Sequence, residues 1–222
     1  MSSRRGPYPA WVADWVTISA LATAGGTLVL ASATFASVRS ANRSARVAEE
    51  SLLAGIRPLI LPSRPEDPPV KVTFADDHYV LTPGGGGTAE VTDEAIYLTI
   101  SVRNVGNGIG VLDAWRVELS SPEPGRGSRP SVDDFHRLTR DLYISAGDVG
   151  FWQGALRDPA EPEFDALRRQ IAGSERLIID LLYRDHQGSQ RAISRFALRQ
   201  RKDGAWMATV VRHWNVDRPD PR

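Results

Sequence analysis

From Trp15 to Val38 the chain runs 24 residues without a charged side chain, bounded by Asp14 and Arg39. At about 1.5 Å per residue a helix of that length crosses roughly 30 Å of hydrocarbon, so a membrane span is the expected state. Ala, Ser, Thr and Gly fill fifteen of the 24 positions and larger apolar residues the other nine, which makes the drive for insertion moderate. A cleaved signal peptide is the competing reading, because Arg4 and Arg5 precede the run and Ala31-Ser32-Ala33 has the form of a cleavage site. Against it, the run exceeds a signal core of about 7–15 residues and continues past that site through Phe35 and Val38 into Arg39, Arg43 and Arg46, as a retained anchor does. Gly6-Pro7 directly after Arg4-Arg5 does not suit a twin-arginine signal.

Arg39, Arg43, Arg46 and Arg57 follow the run, against Arg4 and Arg5 before it, so the bias of basic residues directs a C-terminal domain to the cytoplasmic side of the cell membrane. Beyond the span, Ala41, Ala45, Ala48 and Leu52 recur at helical intervals, and nothing breaks a helix before Gly55 and Arg57-Pro58. The expected organisation is an N-terminal tail over 1–14, a single-pass transmembrane helix over 15–38, a juxtamembrane stalk helix over 39–56 and one β domain over 57–222. Ala22 and Gly26, like Ala33 and Ser37, stand four apart, a spacing that lets helices approach closely in lipid. Two readings stay open there: a homo-oligomer through the transmembrane or stalk helix, or chance in an Ala-rich helix.

Lys and Arg total 27 and Asp and Glu total 27, so no basic excess announces nucleic acid. The chain has no cysteine, which removes disulfides, thiolate metal sites and cysteine nucleophiles together. His78, His136, His186 and His213 are scattered without metal-ligand spacing, so neither a metal nor another cofactor is expected.

Strand signals dominate after Pro58. Short apolar runs at Pro58 to Leu61, Val70 to Phe74 and His78 to Leu81 precede a flexible loop over Pro83 to Gly87. Ile96, Leu98, Ile100 and Val102 then alternate with Tyr97, Thr99, Ser101 and Arg103, the period of a half-buried strand. The first set should fill the core, while the second faces out or lies under a loop. On that register Ile100→Ala is costly and Thr99→Ala cheap. A turn over Asn104 to Gly110 joins this strand to a second one carrying Val111, Trp115, Val117 and Leu119, followed by a loop from Ser120 to Pro130. Ser131 with Asp134 resembles a capping box, and Val132, Phe135, Leu138 and Leu142 predict a short helix. Phe164, Leu167 and Ile171 predict another ending near Gly173, with a strand at Val149 to Trp152 between the two. A meander closes the chain: Arg176 to Arg184, Ala192 to Arg201 and Trp206 to Trp214, with turns at Asp185 to Ser189 and Asp203-Gly204.

The span, the polar Ala-rich helix ending in Arg57-Pro58, the strand-turn Val102-Arg103-Asn104-Val105-Gly106-Asn107-Gly108, and Tyr183-Arg184-Asp185 before Gly188 carry a resemblance. The chain resembles uncharacterised bacterial single-pass membrane proteins with an immunoglobulin-like domain. The resemblance implies a mainly β fold, an Ig-like antiparallel β-sandwich with one or two short inserted helices, and supplies no catalytic residues.

Gly106 to Val111 lacks the last glycine and the following helix of a dinucleotide-binding loop, and no phosphate loop or Gly-x-Ser-x-Gly elbow occurs. With no acid-base pair singled out by spacing, an enzyme is not expected. The sharpest surface feature is the shared strand parity of Arg191, Arg195, Arg199 and Arg201, read either as an ordinary solvated face or as a basic patch for anionic lipid or an acidic partner. The function that follows is a membrane-tethered interaction or scaffold module for an unknown protein partner. The alternative is an exported, membrane-anchored wall or glycan binder stacking sugars on Trp152, Trp206 or Trp214.

Overall fold

The structure, a computed structural model, describes residues 10–119 and 128–218. Arg4 and Arg5, and the part of the expected loop over 120–127, lie outside the described residues. The chain divides into two compact units, Met1–Leu52 and Leu53–Arg222.

The first unit is helical. Helix α1 runs unbroken over Ala10–Gly55, 46 residues, or about 69 Å at the usual rise. Its portion Thr17–Gly55 contains a stretch long and apolar enough to cross a membrane, and none of that stretch is buried. The hydroxyls that dilute its hydrophobicity are satisfied internally. Thr23, Thr27 and Thr34 donate to the carbonyls of Ser19, Thr23 and Leu30, each at 2.8 Å, so none of the three needs a partner outside the helix.

The second unit is antiparallel β. Its strands are β1 (Ile60–Pro62), β2 (Val70–Thr73), β3 (Tyr79–Thr82), β4 (Gly86–Val91), β5 (Ile96–Asn104), β6 (Gly110–Glu118), β7 (His136–Ile144), β8 (Val149–Leu156), β9 (Leu177–Asp185), β10 (Arg191–Gln200) and β11 (Trp206–Asn215). Strand β8 pairs with β5 from Ile96↔Leu156 to Arg103↔Val149, while β4 and β1 pair with its opposite edge. From β4 the ladder continues through β11, β10, β9 and β6 to β7. Among the described residues nine strands thus form one continuous curled sheet, and β2 with β3 makes a separate hairpin. The curl places Ile96, Leu98, Ile100 and Trp152 from one flank and Ile179, Leu181, Phe196 and Leu198 from the other in a single core. Helix α2 (Pro162–Ala172) adds Phe164 and Leu167 to it.

Strand β5 is buried on both faces. Ile96, Leu98, Ile100 and Val102 are in the core as their alternation requires, and Tyr97, Thr99 and Ser101 lie beneath the segment from Ser63 to Thr82. Thr99 Oγ1 is within 2.6 Å of both Thr82 and Thr88 hydroxyls, Ser101 is 2.7 Å from Ser63, and Tyr97 packs edge-on against Phe74. This corrects the expectation that Thr99 is inert. Ile100→Ala should cost about 3 kcal/mol through its cavity, and Thr99→Ala about 1–2 kcal/mol by leaving Thr82 and Thr88 short of a partner. Urea titration of the two variants measures both costs, and a neutral Thr99→Ala would refute the role given to its hydroxyl.

Two expectations give way. The helix expected from Val132 to Leu142 is a single 3-10 turn, Val132–Asp134, followed by β7, and Ser131 makes no side-chain cap. Leu138 and Leu142 are four apart, which puts them on one side of a strand as readily as of a helix. Pairing with β6, together with the packing of both leucines on the core, selects the strand. The loop expected over Pro83 to Gly87 becomes β4 at Gly86, held between β5 and β11.

Candidate functional site

The four arginines of shared parity do not form one exposed face. Arg191 is bound by Asp217 at 2.7 Å, Arg199 is exposed, and Arg201, also exposed, lies 3.5 Å from Asp203. Arg195 is 1% exposed. Its side of β10 is covered by a small second core of Ala114, Leu182, Ile193 and Trp214, on which Val132 and Phe135 pack. Strand parity places a residue on a face, and only the other elements decide whether that face meets water.

Arg195 is instead the centre of an ion network strung across three strands. Asp180 on β9 is opposite Arg195 on β10 and Arg116 on β6, so the register alone brings the three together. Arg195 donates from Nε and Nη2 to the two oxygens of Asp180 at 2.7 and 2.8 Å, a bidentate pair, and its Nη2 also meets Glu118. Arg116 lies 3.2 Å from Glu118 and 3.8 Å from Asp180. Burial opposes the charge on Arg195, and the bonds from Asp180 and Glu118 outweigh it, leaving its pKa above the ordinary value. Its guanidinium also stands 5.1 Å from the centre of the Trp214 ring, in cation–π range.

A second polar group forms where the chain enters the domain. Arg57 reaches His213 Nε2 at 3.1 Å and donates to Asn215. His213 Nδ1 is 3.2 Å from both the Tyr183 hydroxyl and Ser194 Oγ. A serine beside a histidine suggests a nucleophile, but Ser194 is fully buried and also lies within hydrogen-bond range of the Ile60 carbonyl. Burial pushes the Tyr183 hydroxyl up to about 12, which keeps it a neutral donor. The same entry segment is held by Asn104, whose Oδ1 accepts from Leu59 and Gly106 N–H and whose Nδ2 donates to the Gly108 and Ile144 carbonyls. None of these partners was legible in spacing, since they come from six separate segments.

Other features are modest. Among the described residues no three His, Asp or Glu side chains are grouped to hold a metal. A cleft of about 60 Å³ opens between β7 and β8, lined by Arg137, Arg140, Leu142 and Gln153 among others. That is room for a few waters, whereas organic ligands occupy about 300–1,000 Å³. Trp152, Trp206 and Trp214 are all buried, so the glycan-stacking platform of the alternative reading does not exist on those rings.

No protein-family model matches the chain, and no curated protein matches it. Among solved structures, a protein from Archaeoglobus fulgidus aligns at 10% identity and a TM-score of 0.24, covering 59% of this chain and 93% of that one. A beta-glucosidase from Kluyveromyces marxianus aligns at 12% identity and a TM-score of 0.21, covering 58% of this chain and 14% of that one. Likenesses of that size carry no argument about fold or activity.

Proposed function

We propose that the chain is a single-pass membrane protein whose β domain is a tethered interaction or scaffold module without catalytic activity, held on the cytoplasmic side. The observation that carries this reading is an apolar helix with no buried face, followed within four residues by a segment bonded into a well-packed domain. A helix of about 69 Å outlasts the roughly 30 Å of hydrocarbon, and the remainder acts as a stalk. The immunoglobulin-like reading belongs to the same proposal: the curled sheet wraps its two flanks about one core, the layering by which sandwich domains offer outer faces and loops to partners. On the outer side of the β2–β3 hairpin Tyr79 and Leu81 are exposed, with Lys71 Nζ 4.1 Å from the Tyr79 ring centre, an amphipathic patch suited to a protein partner. The non-catalytic part of the reading rests on Ser194 being enclosed and on the small size of the β7–β8 cleft.

Topology is the test. The natural chain has no cysteine, and Lys202 lies exposed in the turn between β10 and β11, so Lys202→Cys provides one reporter. In intact cells it should resist an impermeant thiol reagent and react once the membrane is opened. Equal labelling before and after opening would place the domain outside and favour the exported alternative.

A further inference from the structure

The continuity of α1 fixes the placement of three arginines along the helix. Arg39, Arg43 and Arg46 follow the last uncharged residue at intervals of four and three, and the unbroken helix gathers them within about 60° of one face. All three are exposed, and no ion pair to any of them occurs among the described residues. The contrast is with Arg191 and Arg195, each of which has a carboxylate partner within the domain. The nearest acids on the helix, Glu49 and Glu50, come only after the last of the three.

Position along the helix selects the counter-ion. The uncharged run spans about 36 Å, so Arg39 stands at the edge of the hydrocarbon, where the headgroup layer adds roughly 5–7 Å on each side. Arg43 and Arg46 lie about 6 and 10 Å further along. Side chains on a helix lean toward its N-terminus, and on a helix leaving the bilayer that direction is back toward the membrane. Three long guanidinium side chains therefore converge on the phosphate layer, with Phe35 and Val38 beside them at the apolar boundary.

We infer that Arg39, Arg43 and Arg46 form a binding face for the phosphates of anionic phospholipids. Arginine suits that ligand because its planar fork donates two parallel N–H bonds to phosphate oxygens. The inference rests on the membrane reading of α1. Each basic residue near an anionic leaflet strengthens attraction by about fivefold, and the effect decays over a Debye length of about 8 Å in physiological salt.

The test uses the full chain and its Arg39→Gln/Arg43→Gln/Arg46→Gln variant, reconstituted in phosphatidylcholine vesicles with a trace of spin-labelled phosphatidylglycerol or phosphatidylcholine. The motionally restricted fraction of each labelled lipid gives the selectivity. The wild type should prefer phosphatidylglycerol about fivefold or more, the variant should show nearly none, and added salt should weaken the wild-type preference. Equal selectivity in wild type and variant would overturn the assignment, and so would loss of the preference to inorganic phosphate at constant ionic strength, which would make the ligand a soluble phosphate. Alkaline extraction separates the two readings: release from neutral vesicles would sink the span and this inference together, whereas retention without selectivity would sink this inference alone.

Discussion

Asp180→Ala is expected to destabilise the β domain by about 3–5 kcal/mol, which can exhaust the margin of a domain held by about 5–15 kcal/mol. Removing the carboxylate leaves Arg195, 1% exposed, without its bidentate partner, and leaves Arg116 without one of its anions. Glu118 stays, but it is shared by both guanidinium groups, and the exposed Asp134, 3.6 Å from Arg116, does not reach Arg195. Asp180→Asn should cost nearly as much, because it keeps the shape and one hydrogen-bond acceptor while losing the charge. A double variant, Asp180→Ala with Arg195→Met, should recover much of the loss, since the methionine stem can stay packed over Trp214 with no charge left unpaired. Urea unfolding of the full chain in detergent, followed by tryptophan fluorescence, measures all three. If the double variant were as unstable as Asp180→Ala, the burden would lie in packing and not in an uncompensated charge.

The network also shows where sequence reading stops. The parity of Arg191, Arg195 and Arg199 on β10 was legible, because alternation is a property of one strand. That Val132, Phe135 and Trp214 cover that face was not, because those residues arrive from another strand and a distant 3-10 turn. The alternation of β5, the meander of β9 to β11 and helix α2 were legible, since each depends on local pattern and turn residues. The segment from His136 to Ile144 was misread because leucines spaced by four satisfy both periods, and only pairing with β6 decides between them. The tryptophans were ambiguous in the same way: an aromatic ring serves a core or a binding surface, and burial of Trp152, Trp206 and Trp214 is a tertiary fact.

The turn from Asn104 to Gly110 was legible as a turn, and the structure gives it a larger task, from which the second large effect follows. Asn104 is buried and uses both polar atoms on four backbone groups, tying β5, the entry segment at Leu59, its own turn and the end of β7 together. Asn104→Ala strands two N–H groups and two carbonyls, at about 1–3 kcal/mol for each that finds no other partner, and should cost about 4 kcal/mol or more. Gly108 gives an independent route to the same joint. A Cβ there would fall onto the Ile56 carbonyl oxygen, and a Cβ at Gly106 onto that of Arg57, so both glycines are needed for the close approach of the entry segment. Gly108→Ala must therefore push residues 56–59 off the turn, which also draws Arg57 away from His213 and Asn215. Limited proteolysis of the full chain in detergent, with a protease that cuts after leucine, should then show new cleavage after Leu53 or Leu59, well before the β core is lost. If Gly108→Ala left both the cleavage pattern and the unfolding midpoint unchanged, the entry segment would not be clamped by the turn, and the domain would hang from its helix on a free linker.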